Sequence, residues 1–156
     1  MKAVIQRVTK ASVTINGKIV ASIEKGMLIL LGIETLDTEE DINWLSKKIA
    51  NLRIFDDLTG VMNNSLLEEK GEAIVVSQFT LYASTKKGNR PSYLKAAKSI
   101  IAIPLYEKFV AQFEQELGKK IQIGQFGADM KLEILNNGPV TIIIDSKKKI
   151  KFIFKL

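Results

Sequence analysis

The chain has 156 residues, of which 46% are hydrophobic and 26% charged, a balance that suits one soluble domain with its own core. It has no cysteine and no histidine, which excludes a disulfide framework, a thiolate nucleophile, a Ser-His-Asp triad and any His-ligated metal. The net charge of +6 sits mainly in Lys147, Lys148, Lys149, Lys151 and Lys155, so the body is close to neutral.

Lys2–Val8 alternates apolar and polar residues as a strand does. Ser12–Ile15 and Ile19–Ile23 flank Asn16-Gly17, a pair that tolerates positive φ and predicts a hairpin. Met27–Ile33 is apolar throughout and reads as a strand buried on both faces. Thr38, followed by three acids, opens a helix whose buried stripe is Ile42, Leu45, Ile49 and Leu52. A strand over Arg53–Phe55, a turn over Asp56–Gly60 and a strand over Glu72–Phe79 follow, then a polar loop over Thr80–Asn89.

Pro91 suits the first turn of a helix running through Lys98, and Pro104 that of a second helix with Phe109 and Phe113 on its inner face. Ile121–Phe126, Lys131–Leu135 and Val140–Asp145 read as closing strands, the last two joined in a hairpin by Asn136–Pro139. The expected class is therefore α+β: one domain, a curved, barrel-like, antiparallel-rich sheet with two or three outer helices. Thr141–Ile144 is apolar on both faces, which points to a dimer interface. No apolar run nears the length of a membrane span and the N-terminus lacks a signal-peptide pattern, so a cytoplasmic protein is expected.

Three segments are candidates for chemistry. Ser77-Gln78-Phe79-Thr80 gathers two hydroxyls and an amide where a strand turns into a loop; it also suits a plain strand end. Gly138-Pro139 suits a turn, or a cis peptide whose carbonyls stand bare of side chains. Gly124–Met130 leaves room for a flat ring between Phe126 and Met130, or is a turn. Asp56-Asp57 offers too few oxygens for a divalent metal, and Arg90 beside Pro91 suits either a phosphate or a structural role. The lysine-rich end reads as a solvated tail or as a sequence-blind phosphate attractor.

These segments together resemble the D-aminoacyl-tRNA deacylase family. The resemblance runs from MKAVIQRVTKASV at residue 1 to about Ser146, through SQFTLYA (Ser77–Ala83), GNRPSY (Gly88–Tyr93), GQFGADM (Gly124–Met130) and NGPVT (Asn137–Thr141). It marks 1–146 as the deacylase domain and 147–156 as a basic extension, longer than the family leads one to expect. It implies a homodimer, no metal and no cofactor. It implies a cis Gly138-Pro139 that reaches across the dimer into the other subunit's pocket, where its carbonyls exclude L-amino acids, with Arg7 fixing it. Ser77, Gln78, Phe79 and Thr80 would surround the scissile ester, with Phe126 and Met130 near the terminal adenosine or the aminoacyl group. Asn89 stands where a basic residue is expected, which weakens the expected contact with the tRNA acceptor.

The implied activity is hydrolysis of the ester between a D-amino acid, or glycine, and the 3′ end of tRNA. With no histidine available, the favoured chemistry uses the 2′-hydroxyl of the terminal adenosine to orient water. The rival makes Thr80 the nucleophile, which needs an adjacent base. Two readings outside tRNA editing stay open: a non-catalytic binder of acceptor stems using Arg90 and the tail, and an esterase or amidase for small D-amino acid derivatives.

Overall fold

The computed structural model describes residues 1–149 of the chain. Its first strand is longer than the alternation suggests: β1 runs unbroken over Lys2–Ile15, merging the two predicted pieces. It turns at Asn16-Gly17, both at positive φ, into β2 (Lys18–Ile23) and then β3 (Gly26–Gly32). Helix α1 (Glu39–Ala50) follows, begun by a backbone N–H of Thr38 donating to Asp41 Oδ2 at 2.9 Å. A small hairpin, β4 (Phe55–Asp56) with β5 (Met62–Asn64), a short helix α2 (Leu66–Glu69) and β6 (Glu72–Ser77) lead to one 3₁₀ turn, Phe79–Tyr82. Asp56 thus belongs to a strand, and only the rest of Asp56–Gly60 makes the turn. Helix α3 (Ser99–Leu117), β7 (Gln122–Ile123) and β8 (Lys131–Asp145) complete the described chain.

β1 organises the sheet. One edge pairs antiparallel with β3 through its first half and with β2 through its second, while the other edge pairs antiparallel with β8 along nearly its whole length. β3 then pairs parallel with β6, and β6 parallel with β7, so the sheet is mixed and curls toward closure. Successive residues of β3 serve two cores. Met27, Ile29 and Leu31 face the helices, with Ile42, Leu45, Ile49, Phe109 and Phe113, while Leu28 joins Val8, Val13, Ile74 and Val76 on the concave side. That double burial is what the uninterrupted apolar run of β3 implies.

Four further expectations are corrected. Lys131–Asp145 is not a hairpin: Asn137–Val140 bulges opposite Arg7, and residues on both sides of the bulge pair with β1. The turn-like chemistry of Asn-Gly-Pro serves the bulge, and the fourteen-residue length of β1 gives both halves one partner. Pro91–Lys98 is not helical; its backbone bonds go sideways, Ser92 exchanging N–H···O bonds with Ser84 at 2.7 and 2.9 Å and Ala97 N–H donating to Ile33 O at 2.9 Å. Pro104 lies inside α3, which starts at Ser99 and forms without a bond from position 104 to the Ile100 carbonyl. The strand expected over Ile121–Phe126 contracts to Gln122–Ile123 because Gly124 leads into the turn toward β8.

The first residues of the basic extension are docked. Lys147 Nζ lies 2.7 Å from Asp41 Oδ2, and Lys149 pairs with Glu40 and sits over the Trp44 ring. The remainder of the expected tail, 150–156, falls outside the described residues. Among the described residues no helix is long and apolar enough to cross a membrane.

Candidate active site

Parallel neighbours β3 and β6 end side by side, and beyond their carboxyl ends lies a cavity of about 280 Å³. Strand ends in open sheets leave such crevices because the chain must turn away from the ladder there. Its walls come from Leu31 and Ile33 at the end of β3, Val76 and Ser77 at the end of β6, Gln78 and Phe79 just after it, Ala97 and Ala102 at the entry to α3, the Phe126–Met130 loop, and Leu132 on β8. No ionisable side chain is among the residues that line it.

Backbone geometry fixes the wall after β6. Gln78 N–H donates to Leu31 O at 2.8 Å, which ties the turn to β3. Leu81 and Ala83 N–H groups return to Gln78 and Thr80 carbonyls. The N–H groups of Phe79 and Thr80 open the 3₁₀ turn and so have no acceptor within it. Gln78 Nε2 donates to Thr80 Oγ1, and among the described residues no amine or carboxylate bonds that hydroxyl. Thr80 itself is not on the cavity wall.

The opposite wall is braced from the core. Phe126 meets Tyr106 edge-on at 5.9 Å, and the Tyr106 hydroxyl donates to Val75 O at 2.9 Å. Burial pushes the Tyr106 phenol up to about 12, so it stays a neutral donor. Gly124 lets Met130 fold back over the turn, since a Cβ there would lie 2.5 Å from its Sδ. At the rim, the rings of Phe79 and Tyr93 meet at 5.1 Å, with Phe79 54% and Tyr93 40% exposed.

Gly138-Pro139 is elsewhere. The bond is cis, both residues are exposed, and neither lines the cavity of its own chain. What holds the segment is Arg7, only 6% exposed. Its Nε donates to Asn137 O at 3.0 Å, its Nη1 to Ile54 O at 2.8 Å, and Nη1 also reaches Asp56 Oδ1 at 3.2 Å. Gly138 has φ +118, and a Cβ there would approach Arg7 Nη2 to 3.0 Å. Sequence-predicted residues therefore form two groups, Ser77–Phe79 with Phe126 and Met130 at the cavity, and Arg7 with Gly138-Pro139 on the bulge.

Asp56 serves Arg7, and Asp57 serves its own turn, accepting from Thr59, Val61 and Asn63. Hydrogen bonds from the Asn63 and Thr59 side chains, then from the Val61 and Thr59 backbone, hold the Asp57 carboxyl well below the usual carboxylate range. Among the described residues no cluster of acidic side chains could hold a metal. The apolar and small wall residues Leu31, Ile33, Ala97, Ala102 and Leu132 were not singled out from sequence, and their residue types carry no chemical signal.

A family model described as D-Tyr-tRNA(Tyr) deacylase matches residues 4–145. The chain belongs to this family. The D-aminoacyl-tRNA deacylase of Flavobacterium psychrophilum is 69% identical over 149 residues, 96% of this chain and 99% of that protein. The one from Bacteroides thetaiotaomicron is 64% identical over the same shares. Among solved structures, one titled c-Myc DNA Unwinding Element Binding Protein is 40% identical with a TM-score of 0.87, covering 93% of this chain and 98% of its own. A second, titled as a probable eukaryotic D-amino acid tRNA deacylase, has a TM-score of 0.82 at 15% identity, over 92% of this chain and 97% of its own, and shares the fold.

Proposed function

We propose that the protein hydrolyses the ester joining a D-amino acid to the 3′-terminal adenosine of tRNA, in the cytoplasm, and that the substrate supplies the reactive hydroxyl. The observation that carries this is a pocket without an acid or base, in a chain without histidine. The size of the cavity suits an aminoacyl group or a nucleobase. Water, oriented by the neighbouring 2′-hydroxyl, adds to the ester carbonyl carbon. The Phe79 and Thr80 N–H groups, which have no acceptor within the 3₁₀ turn after β6, hold the oxyanion that develops. The bond from carbon to the 3′-oxygen then breaks, that oxygen takes the proton given up by the attacking water, and the free amino acid leaves. Positioning of this kind contributes about 7–11 kcal/mol without a protein base.

Handedness is read by a second copy of the chain. β8 is an edge strand fifteen residues long, with Ile143 74% and Leu135 51% exposed, a template for pairing with another copy. Gly138-Pro139 stands on that edge, held by Arg7 and away from its own cavity. In a homodimer its bare carbonyls enter the other subunit's pocket and leave no space for an L side chain. Such a gate needs no recognition of the D side chain, so glycine passes too.

A Thr80 nucleophile is the weaker reading, because a Gln78 amide donates to its hydroxyl and nothing is placed to take its proton. The deciding assay follows amino acid release from D-tyrosyl-, L-tyrosyl- and glycyl-tRNA and from a small D-tyrosine ester. Release from the D- and glycyl-tRNAs alone is expected. Release from the small ester at equal efficiency makes the protein a general D-esterase. Binding without release makes it a non-catalytic RNA binder.

A further inference from the structure

No Asp or Glu occurs between Glu72 and Glu107, although the chain has 17 acidic residues. That stretch forms the cavity wall after β6, the segment beyond it and the entry to α3. It carries Lys86, Lys87, Arg90, Lys95 and Lys98, all exposed, and none makes an ion pair among the described residues. The Ser84–Ser92 bridge pinches off an arm with Lys86, Lys87 and Arg90 in its loop. Tyr93, the residue after that bridge, is packed against Phe79, a wall residue of the cavity. The arm is thereby fixed beside the pocket mouth.

We infer that the arm Ser84–Ser92 is a phosphate track: Lys86, Lys87 and Arg90 take the backbone phosphates of the single-stranded RNA leading to the terminal adenosine. This rests on the reading of the site given above and adds to it where the rest of the substrate lies. Three cations without a carboxylate among them create a local field that a polyanion meets with no competing repulsion. Aromatic rings interleaved with cations are the surface that unstacked single strands favour. Arg90 offers a planar fork to one phosphate, while the lysines act as point charges. Asn89, uncharged, leaves the track at these three.

The test compares the wild type with Lys86→Ala/Lys87→Ala/Arg90→Ala on two substrates. One is D-tyrosyl-tRNA. The other is adenosine esterified with D-tyrosine, which carries no phosphate. The triple variant is expected to raise KM for D-tyrosyl-tRNA roughly tenfold or more, with kcat preserved and cleavage of the adenosine ester at the wild-type rate. The log–log dependence of kcat/KM on salt should flatten by about 2, near 0.7 for each single-strand phosphate that the protein ceases to neutralise. A charge-keeping variant, Lys86→Arg/Lys87→Arg with Arg90 retained, should keep the wild-type KM. Unchanged KM and salt slope in the alanine variant overturn the track while leaving the hydrolase intact. So does equal loss on the adenosine ester, or an equal KM rise after Lys10, Lys18 and Lys47 are removed instead. A wild type that cleaves neither substrate removes the underlying reading, and the track with it.

Discussion

Arg7 Nε lies 3.0 Å from the carbonyl oxygen of Asn137, the residue before Gly138. The same guanidinium is bonded to Ile54 O, so one buried cation links the β8 bulge to the segment entering β4. Replacing it by an apolar side chain of similar length, Arg7→Met, leaves the buried Ile54 carbonyl and the part-buried Asn137 carbonyl without their charged donor. The expected cost is about 3 kcal/mol in denaturant midpoint experiments. Hydrolysis of D-tyrosyl-tRNA should persist, while that of L-tyrosyl-tRNA should rise. Unaltered rejection of the L substrate removes Arg7 from the gate.

Gly138 makes a second test of the same segment. At φ +118 an L side chain is strained, and its Cβ would press on Arg7 Nη2. Gly138→Ala should lose about 1–3 kcal/mol and shift the bulge enough to weaken discrimination between enantiomers. Asn137→Ala, which keeps the carbonyl that Arg7 uses, is the control and should behave like the wild type. Measured enantiomer ratios for the pair decide the point.

Thr80 separates the two chemistries. Its hydroxyl accepts from Gln78 Nε2 and has no basic partner among the described residues. Thr80→Ala should retain kcat within about tenfold, since backbone donors survive the substitution. A fall of about a thousandfold or more with an unchanged melting temperature would instead indicate an acyl-enzyme.

How much of this was legible in the sequence differs from element to element. β3 and β6 were, because apolar runs buried on both faces leave little choice for the strands expected over Met27–Ile33 and Glu72–Phe79; the second stops at Ser77, short of the 3₁₀ turn that takes Phe79. The hairpin expected at Asn136–Pro139 failed because local turn chemistry also suits a bulge, and only the length of β1 decides between them. Pro91 misled for a related reason. Its fixed φ suits a helix start, but the amides of Ser92 and Ala97 had β-type partners distant in sequence. Ser77–Phe79, Phe126 and Met130 are drawn together by their motifs and line one cavity, whereas Ala97 and Ala102 enter its wall only as small side chains. The separation of Gly138-Pro139 from its own cavity appears only in three dimensions.

Acid should loosen the junction between α1 and the docked residues after β8. Burial tends to raise the Asp41 pKa, but hydrogen bonds from Lys147, Ser146 and the Thr38 N–H, with a further coulombic pull from the α-amino group, outweigh it and hold the carboxyl well below the usual range. A depressed folded-state pKa gives stabilisation that is complete above the unfolded value near 3.9. It is lost as pH falls through the folded value. The stability gap between the wild type and Asp41→Asn should therefore be constant from about pH 7 to 5 and shrink below about pH 4. A gap independent of pH down to about 2 would contradict the assigned bonds.

The most direct measurement is the single-turnover hydrolysis rate of D-tyrosyl-tRNA whose terminal adenosine carries a 2′-hydrogen in place of the 2′-hydroxyl. A pocket without an ionisable side chain predicts collapse of the rate while binding is retained. Hydrolysis as fast as that of the unmodified substrate would contradict it and place the missing base in the protein.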